Sequence, residues 1–268
     1  MNHLVFAHAN GFPAGCYRLL FEHWRAAGWQ VHALARIGHD PRYPVSSNWP
    51  HLRDELIAFA QAQLPAGERA VFAGHSLGGM LSFLVACRRP DLAQGLVMLD
   101  APLVTGWRAQ AVRLAKATRL IGRVSPGQVS RRRRESWDSA STLHQHFAAK
   151  PKFAAWDARV LADYVASGFE PDGAGDRQRL AFARDVETRI YDTLPHHVGR
   201  LLKRYPPQCP VAFLAGTDSE EMRQGGSAAS RALAGPRFAT IEGSHLYPFE
   251  KPDETARWVL DQIQSMAA

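Results

Sequence analysis

Residues 71–86 read Val71-Phe72-Ala73-Gly74-His75-Ser76-Leu77-Gly78-Gly79-Met80-Leu81-Ser82-Phe83-Leu84-Val85-Ala86. A short apolar run, a serine flanked by glycines and a second apolar run predict a strand, a sharp turn and a helix. So tight a turn leaves no room for side chains two residues before and two after the serine, and Gly74 and Gly78 meet that demand. The turn exposes the Ser76 hydroxyl at the carboxyl end of a sheet. The helix N-terminus behind it aims free N–H groups at developing negative charge. Ser76 is the candidate nucleophile.

Outward from this turn, residues 4–7, 29–36, 70–74, 96–99, 211–215 and 238–241 read as strands. Residues 16–28, 49–64, 80–88 and 253–265 carry helical apolar spacing. Short strands alternating with helices mean βαβ units and a parallel sheet. Residues 101–208 interrupt that rhythm with helical stretches and loops, and no strand is expected there. The expectation is an α/β fold: a core formed by 1–100 and 209–268, interrupted by a helical cap at 101–208.

A serine hydroxyl needs a base to become a nucleophile. Among 12 histidines, His245 stands in Ile241-Glu242-Gly243-Ser244-His245, a loop after the last strand and before the final helix. His75 points away across the turn, and His144, His146, His196 and His197 read as solvated or structural. The acid partner is marked less sharply. Asp218 follows a strand, comes 27 residues before His245 and is placed first. Glu220, Glu221 and, at the end of strand 96–99, Asp100 stay open as alternatives. A turn or helix N-cap accounts for Asp218 in a bland way, and a strand terminus does so for Asp100. An oxyanion needs two backbone donors. Leu77 N–H is one, and the loop His8-Ala9-Asn10-Gly11-Phe12 supplies the other, with Asn10 placed before Phe12.

The stretches HANGFP (8–13), GHSLGG (74–79), GTDSE (216–220) and GSHLYPFEKP (243–252) together resemble the α/β-hydrolase superfamily, in its subgroup with a helical cap after the sixth strand. The resemblance covers the residues outside the insertion. It implies Ser76 as nucleophile, His245 as base, Asp218 orienting the imidazole, and Leu77 and Asn10 as oxyanion donors. No metal cluster, P-loop or dinucleotide fingerprint stands in the sequence, so neither cofactor nor metal is expected. There are three departures. Ala9 replaces the glycine of the family's His-Gly pair. In the acid motif Gly-x-x-Asp, Ser219 takes the aspartate's place and Asp218 comes one residue early. The chain begins inside the family's third strand, which leaves a six-stranded parallel sheet in the order 4-3-5-6-7-8 by family labels, without the two antiparallel N-terminal strands. Serine at the nucleophile position argues against epoxide-hydrolase and dehalogenase chemistry. The expected reaction is hydrolysis of an ester-type acyl substrate through a Ser76 acyl-enzyme, with thioester or carbon–carbon bond cleavage as alternatives of the same fold.

The 268 residues are 46% hydrophobic and 21% charged, which excludes a disordered or collagen-like chain. Three cysteines without C-x-x-C spacing argue against a disulfide framework and a zinc knuckle, and point to a reducing compartment. With no signal-like N-terminus and no apolar stretch near 18 residues, the expectation is a cytoplasmic protein without a transmembrane segment. Net charge is +7, and 27 of the 32 basic residues are arginine. Residues 101–150 hold ten basic against two acidic residues and 151–208 nine against eight, so the surplus lies in the insertion. Residues 107–123 read as a basic amphipathic helix, with the apolar face of Trp107, Ala111, Leu114 and Ile121 packing on the core, sitting over a pocket or meeting an anionic membrane. Phe147, Phe153, Trp156, Tyr164 and Phe169 read as cap core. The run Arg131, Arg132, Arg133 and Arg134 raises nucleic-acid binding as a rival, without a recognised motif beside it. A catalytically silent ligand receptor is the third class.

Overall fold

The computed structural model describes residues 2–173 and 175–267, the side chains of Val124 and Ala267 excepted. Its strands are β1 (His3–Ala7), β2 (Gln30–Ala33), β3 (Ala70–His75), β4 (Ala93–Leu99), β5 (Ser136–Trp137), β6 (Phe169–Pro171), β7 (Gln178–Leu180), β8 (Val211–Gly216) and β9 (Phe238–Ile241). Six of them form one parallel sheet in the order β2-β1-β3-β4-β8-β9. This is the order the resemblance implied.

The inner strands are apolar on both faces, as a parallel sheet covered on both sides requires. Val5, Phe72, Leu96 and Met98 point to one side, where they meet Leu52 and Leu56 of α2 (Pro50–Gln63) and Leu81 and Phe83 of α3 (Leu77–Arg88). Leu4, Phe6, Val71, Val97 and Leu99 point to the other. There they meet Leu20 and Trp24 of α1 (Arg18–Ala26) and Ala256, Val259 and Ile263 of the final helix. α3 is buried along almost its whole length, which explains its lack of a polar face. Among the described residues, no helix is long and apolar enough to cross a membrane.

Within 101–208, one expectation fails. Besides α4 (Gly106–Ala117) and the helices Ala140–Ala148, Ala158–Ser167, Arg184–Asp192 and Val198–Arg204, the insertion contains a three-stranded antiparallel sheet, β5-β7-β6. Its strands are two or three residues long, too short to show a period of two in sequence. The helix expected over 107–123 ends at Ala117, and only Ala109 in it is buried. Trp107 is 72% and Leu114 64% exposed, so the apolar face does not pack on the core.

The aromatic residues of the insertion pack together and against the core. Phe147 stands 5.2 Å from Tyr164, Trp156 4.7 Å from Phe249 and 5.8 Å from Phe12, ring centre to ring centre. Tilted and edge-on pairs of this kind add roughly 0.5–1.5 kcal/mol each beyond area burial. They tie the insertion to the loops after β1 and β9.

Candidate active site

Ser76 follows β3 with φ +54° and ψ −114°, a strained conformation for a residue with a side chain. Its neighbours make the turn possible. A Cβ on Gly74 would stand 2.3 Å from the Gly78 carbonyl carbon, and one on Gly78 would stand 1.9 Å from the Ala7 carbonyl oxygen. No real Cβ tolerates either contact. Ser76 N–H donates to Leu99 O at 2.9 Å, which hangs the turn on the end of β4, and Met80 N–H donates to Ser76 O at 3.1 Å. The serine is half-buried and lines a cavity of about 390 Å³. Its other walls are largely apolar: Trp49, Met80, Val112, Tyr191 and Leu194.

The carboxylate at the imidazole is Asp100. Its Oδ2 lies 2.6 Å from His245 Nδ1, and the Asp100 side chain is fully buried. Asp100 also accepts the Gly216 N–H at 2.6 Å and the Ser219 hydroxyl. Like Ser76, it sits in the left-handed region, at φ +46°. A carboxylate accepts, so Nδ1 carries the proton and Nε2 is left as the basic nitrogen.

Asp218, placed first by the sequence, is not brought to His245. It is exposed, with its backbone N–H bound to Gly243 O at 2.9 Å in the turn after β8. The one-residue offset in the acid motif explains this. Ser219 takes the inward position, donates to Asp100, and caps the following helix by accepting the Met222 N–H at 3.1 Å. Glu220 is exposed and pairs with Arg223 at 3.6 Å. Glu221 lines the cavity with its carboxylate 3.8 Å from His245 Nδ1. Asp100, Glu221 and His245 offer ligand atoms within 4.8 Å of one another, the only such group among the described residues. Nδ1 already holds a proton towards Asp100, so it has no lone pair to give a cation.

His75 acts where sequence reasoning saw only a neighbour. It is buried; its Nε2 donates to the His245 carbonyl at 2.8 Å and its Nδ1 accepts the Tyr17 hydroxyl at 2.8 Å. Burial first, then the nearby His245, holds its pKa well below the ordinary 6.5, so the ring is neutral and its tautomer is fixed by these partners. Tyr17 in turn accepts the Ala9 N–H at 3.1 Å. One chain of hydrogen bonds thus joins the loop after β1 to the loop that carries His245. No short-range sequence signal marks it, because its members are Ala9, Tyr17, His75 and His245.

Asn10, in the loop after β1, and Leu77, the first residue of α3, are both buried. The Phe12 N–H is committed to Ala9 O at 3.1 Å and the Ala9 N–H to Tyr17. Among the described residues the Asn10 N–H has no such partner, so of the two candidates Asn10 rather than Phe12 keeps a donor to offer. The Asn10 side chain donates to Glu187 O at 3.0 Å, and Glu187 pairs with Arg133 at 2.8 Å, so the insertion holds this loop in place.

A sequence model described as "Alpha/beta hydrolase family" matches residues 4–258. A probable esterase of rice (Oryza sativa), PIR7A, is 32% identical over 122 residues, 44% of this chain and 46% of that protein, so the match spans less than half of the relative. Among solved structures, E-2-(acetamidomethylene)succinate hydrolase superposes with a TM-score of 0.74 at 17% identity, covering 98% of this chain and 91% of its own. A carboxylesterase of Nitrososphaera gargenis gives 0.68 at 18% identity, covering 99% and 91%. At those identities the likeness is one of fold.

Proposed function

Because the chain belongs to the alpha/beta hydrolase family, we propose that it is a serine hydrolase that cleaves an ester-type acyl substrate through a Ser76–His245–Asp100 triad. The observation that carries this reading is the buried Asp100 carboxylate at 2.6 Å from His245 Nδ1, on the strand end from which the Ser76 turn hangs. Residues 1–100 and 209–268 act as the catalytic core, and 101–208 as a cap supplying the apolar walls of the acyl pocket.

His245 Nε2 takes the Ser76 hydroxyl proton as Oγ attacks the acyl carbonyl carbon. The developing oxyanion is met by the N–H groups of Leu77 and Asn10, each worth a few kcal/mol when preorganised. The imidazolium, steadied by Asp100, then protonates the leaving oxygen, and the acyl-enzyme forms. Water attacks that ester with His245 again as base, which releases the acid and regenerates Ser76. No step calls on a metal or cofactor. The apolar lining at Trp49, Met80 and Val112 favours an uncharged acyl chain. Three free cysteines support a reducing compartment such as the cytoplasm.

A fluorophosphonate probe tests the reading directly. Wild type is expected to be labelled in proportion to lost esterase activity, and Ser76→Ala to be neither labelled nor active. Labelling that survives in Ser76→Ala sinks the assignment. A thioester preference over the matching oxygen ester would favour the thioesterase variant of the same mechanism.

A further inference from the structure

Part of the basic surplus of the insertion lines a second cavity, of about 1180 Å³. α4 is the wall between the two. Trp107, Ala111 and Ala115 face the Ser76 pocket, while Ala109, Gln110 and Arg113, on the opposite flank, face the second one. Arg53, Arg113, Arg200, Lys203 and Arg204 line this cleft and no aspartate or glutamate does, although Arg53 pairs with Asp54 at 2.7 Å.

Some arginines of the insertion are matched to carboxylates, Arg131 to Asp192, Arg133 to Glu187 and Arg159 to Asp157 and Asp253. Among the described residues, Arg113, Arg200, Lys203 and Arg204 have no acidic partner within ion-pair distance. His197 also lines the cleft, and its Nδ1 is buried with no hydrogen-bond partner. Four like charges around one concavity repel each other until an anion neutralises them.

We propose that this cleft binds a small polyanion carrying at least two phosphate groups, such as a nucleoside diphosphate or the phosphorylated end of a coenzyme-A-type carrier. The cleft exceeds what one phosphate requires and suits a nucleotide-sized ligand. Arginine forks recognise phosphate oxygens in pairs, and an exposed lysine adds a point charge. Pro50, Leu84 and Ala109 supply an apolar patch for the uncharged part of the ligand. Binding here does not depend on the hydrolase reading of Ser76.

Isothermal titration with ADP and with coenzyme A, at near-physiological salt, tests the site on wild type, on Ser76→Ala and on the triple variant Arg113→Gln/Arg200→Gln/Lys203→Gln. Saturable one-to-one binding is expected in the first two, weakened about tenfold or more in the triple variant, with adenosine not bound. Turnover of p-nitrophenyl acetate by the triple variant stays unchanged and serves as the folding control. If the polyanion is the leaving group of the substrate, the triple variant raises KM for butyryl-coenzyme A but not for p-nitrophenyl butyrate. If it is a separate effector acting through α4, ADP shifts the p-nitrophenyl butyrate KM of wild type; either result supports the site. Failure of both probes to saturate, equal binding by the triple variant, or tighter binding of a single-stranded oligonucleotide with a steep salt dependence would overturn it.

Discussion

Asp100 accepts three hydrogen bonds in a fully buried position, from Gly216 N–H, the Ser219 hydroxyl and His245. An asparagine would keep its shape but offer an N–H where Nδ1 needs an acceptor, and so favour the wrong imidazole tautomer. The equivalent change in serine proteases of unrelated fold lowers kcat by roughly 10⁴. Asp100→Asn is expected to lose on that order in steady-state ester hydrolysis, and Asp218→Asn to stay near wild type. A comparable loss in both would return Asp218 to the triad. His75→Phe removes two buried hydrogen bonds and leaves the Tyr17 hydroxyl without an acceptor. At about 1–3 kcal/mol for an orphaned buried group, it should lower Tm by several degrees. It should also cut kcat by releasing the His245 loop, whereas Tyr17→Phe, which keeps that contact, should cut it less. Ser76 and His245 were legible because each sits in a motif whose geometry is local. Asp100 was only an alternative, because what selects it is the position of Ser219, which is 119 residues away in sequence.

At the scale of the element, the turn between β3 and α3 is the least tolerant part of the molecule. A Cβ at Gly78 would stand 1.9 Å from the Ala7 carbonyl oxygen, so Gly78→Ala must push α3 off β1. Clashes with backbone cannot relax through a rotamer change, and the cost exceeds the roughly 1–3 kcal/mol of ordinary overpacking. Gly78→Ala is expected to yield little soluble protein by size-exclusion chromatography, whereas Gly28→Ala, with nothing within 4 Å of its Cβ and only a φ of +86° to strain it, should fold with a modest loss of Tm. The same local density made the inner strands of the main sheet readable as apolar runs between turns, whereas β2, Gln-Val-His-Ala at the sheet edge, was read from its alternation. β5, β6 and β7 were not readable, since sequences as short as Ser-Trp or Gln-Arg-Leu carry no period. α4 was left between alternatives: its flanks are turned towards two cavities, so the apolar spacing meant a helix over a pocket and not packing on the core.

Over the whole molecule, the response to pH follows from three buried groups of opposite sign. Burial pushes the His8 pKa down to about 4, with Nδ1 donating to Ala9 O at 2.8 Å and Nε2 accepting the Ile37 N–H at 2.9 Å. The unfolded chain therefore takes up a proton at pH values where the folded one does not. Stability is lost as pH falls from 6.5 towards 4, by about 3 kcal/mol in full. His75, held neutral by burial, adds a loss in the same direction. Glu55 opposes both: burial raises its carboxyl to about 7, against the Gly38 N–H bond at 2.8 Å that favours the charged form. Its unfolded value is 4.5, so its cost is complete above pH 7 and disappears as pH falls to 4.5. That gain offsets the His8 loss over nearly the same window, by a similar amount of about 3 kcal/mol. Glu55→Gln removes the offset. Thermal melts between pH 7.5 and 4.5 are expected to show the variant more stable than wild type at the alkaline end and losing Tm more steeply on acidification, until the two curves meet near pH 4.5. Parallel curves across that range would mean that Glu55 is charged in the folded protein, and that the histidines alone set the acid limit.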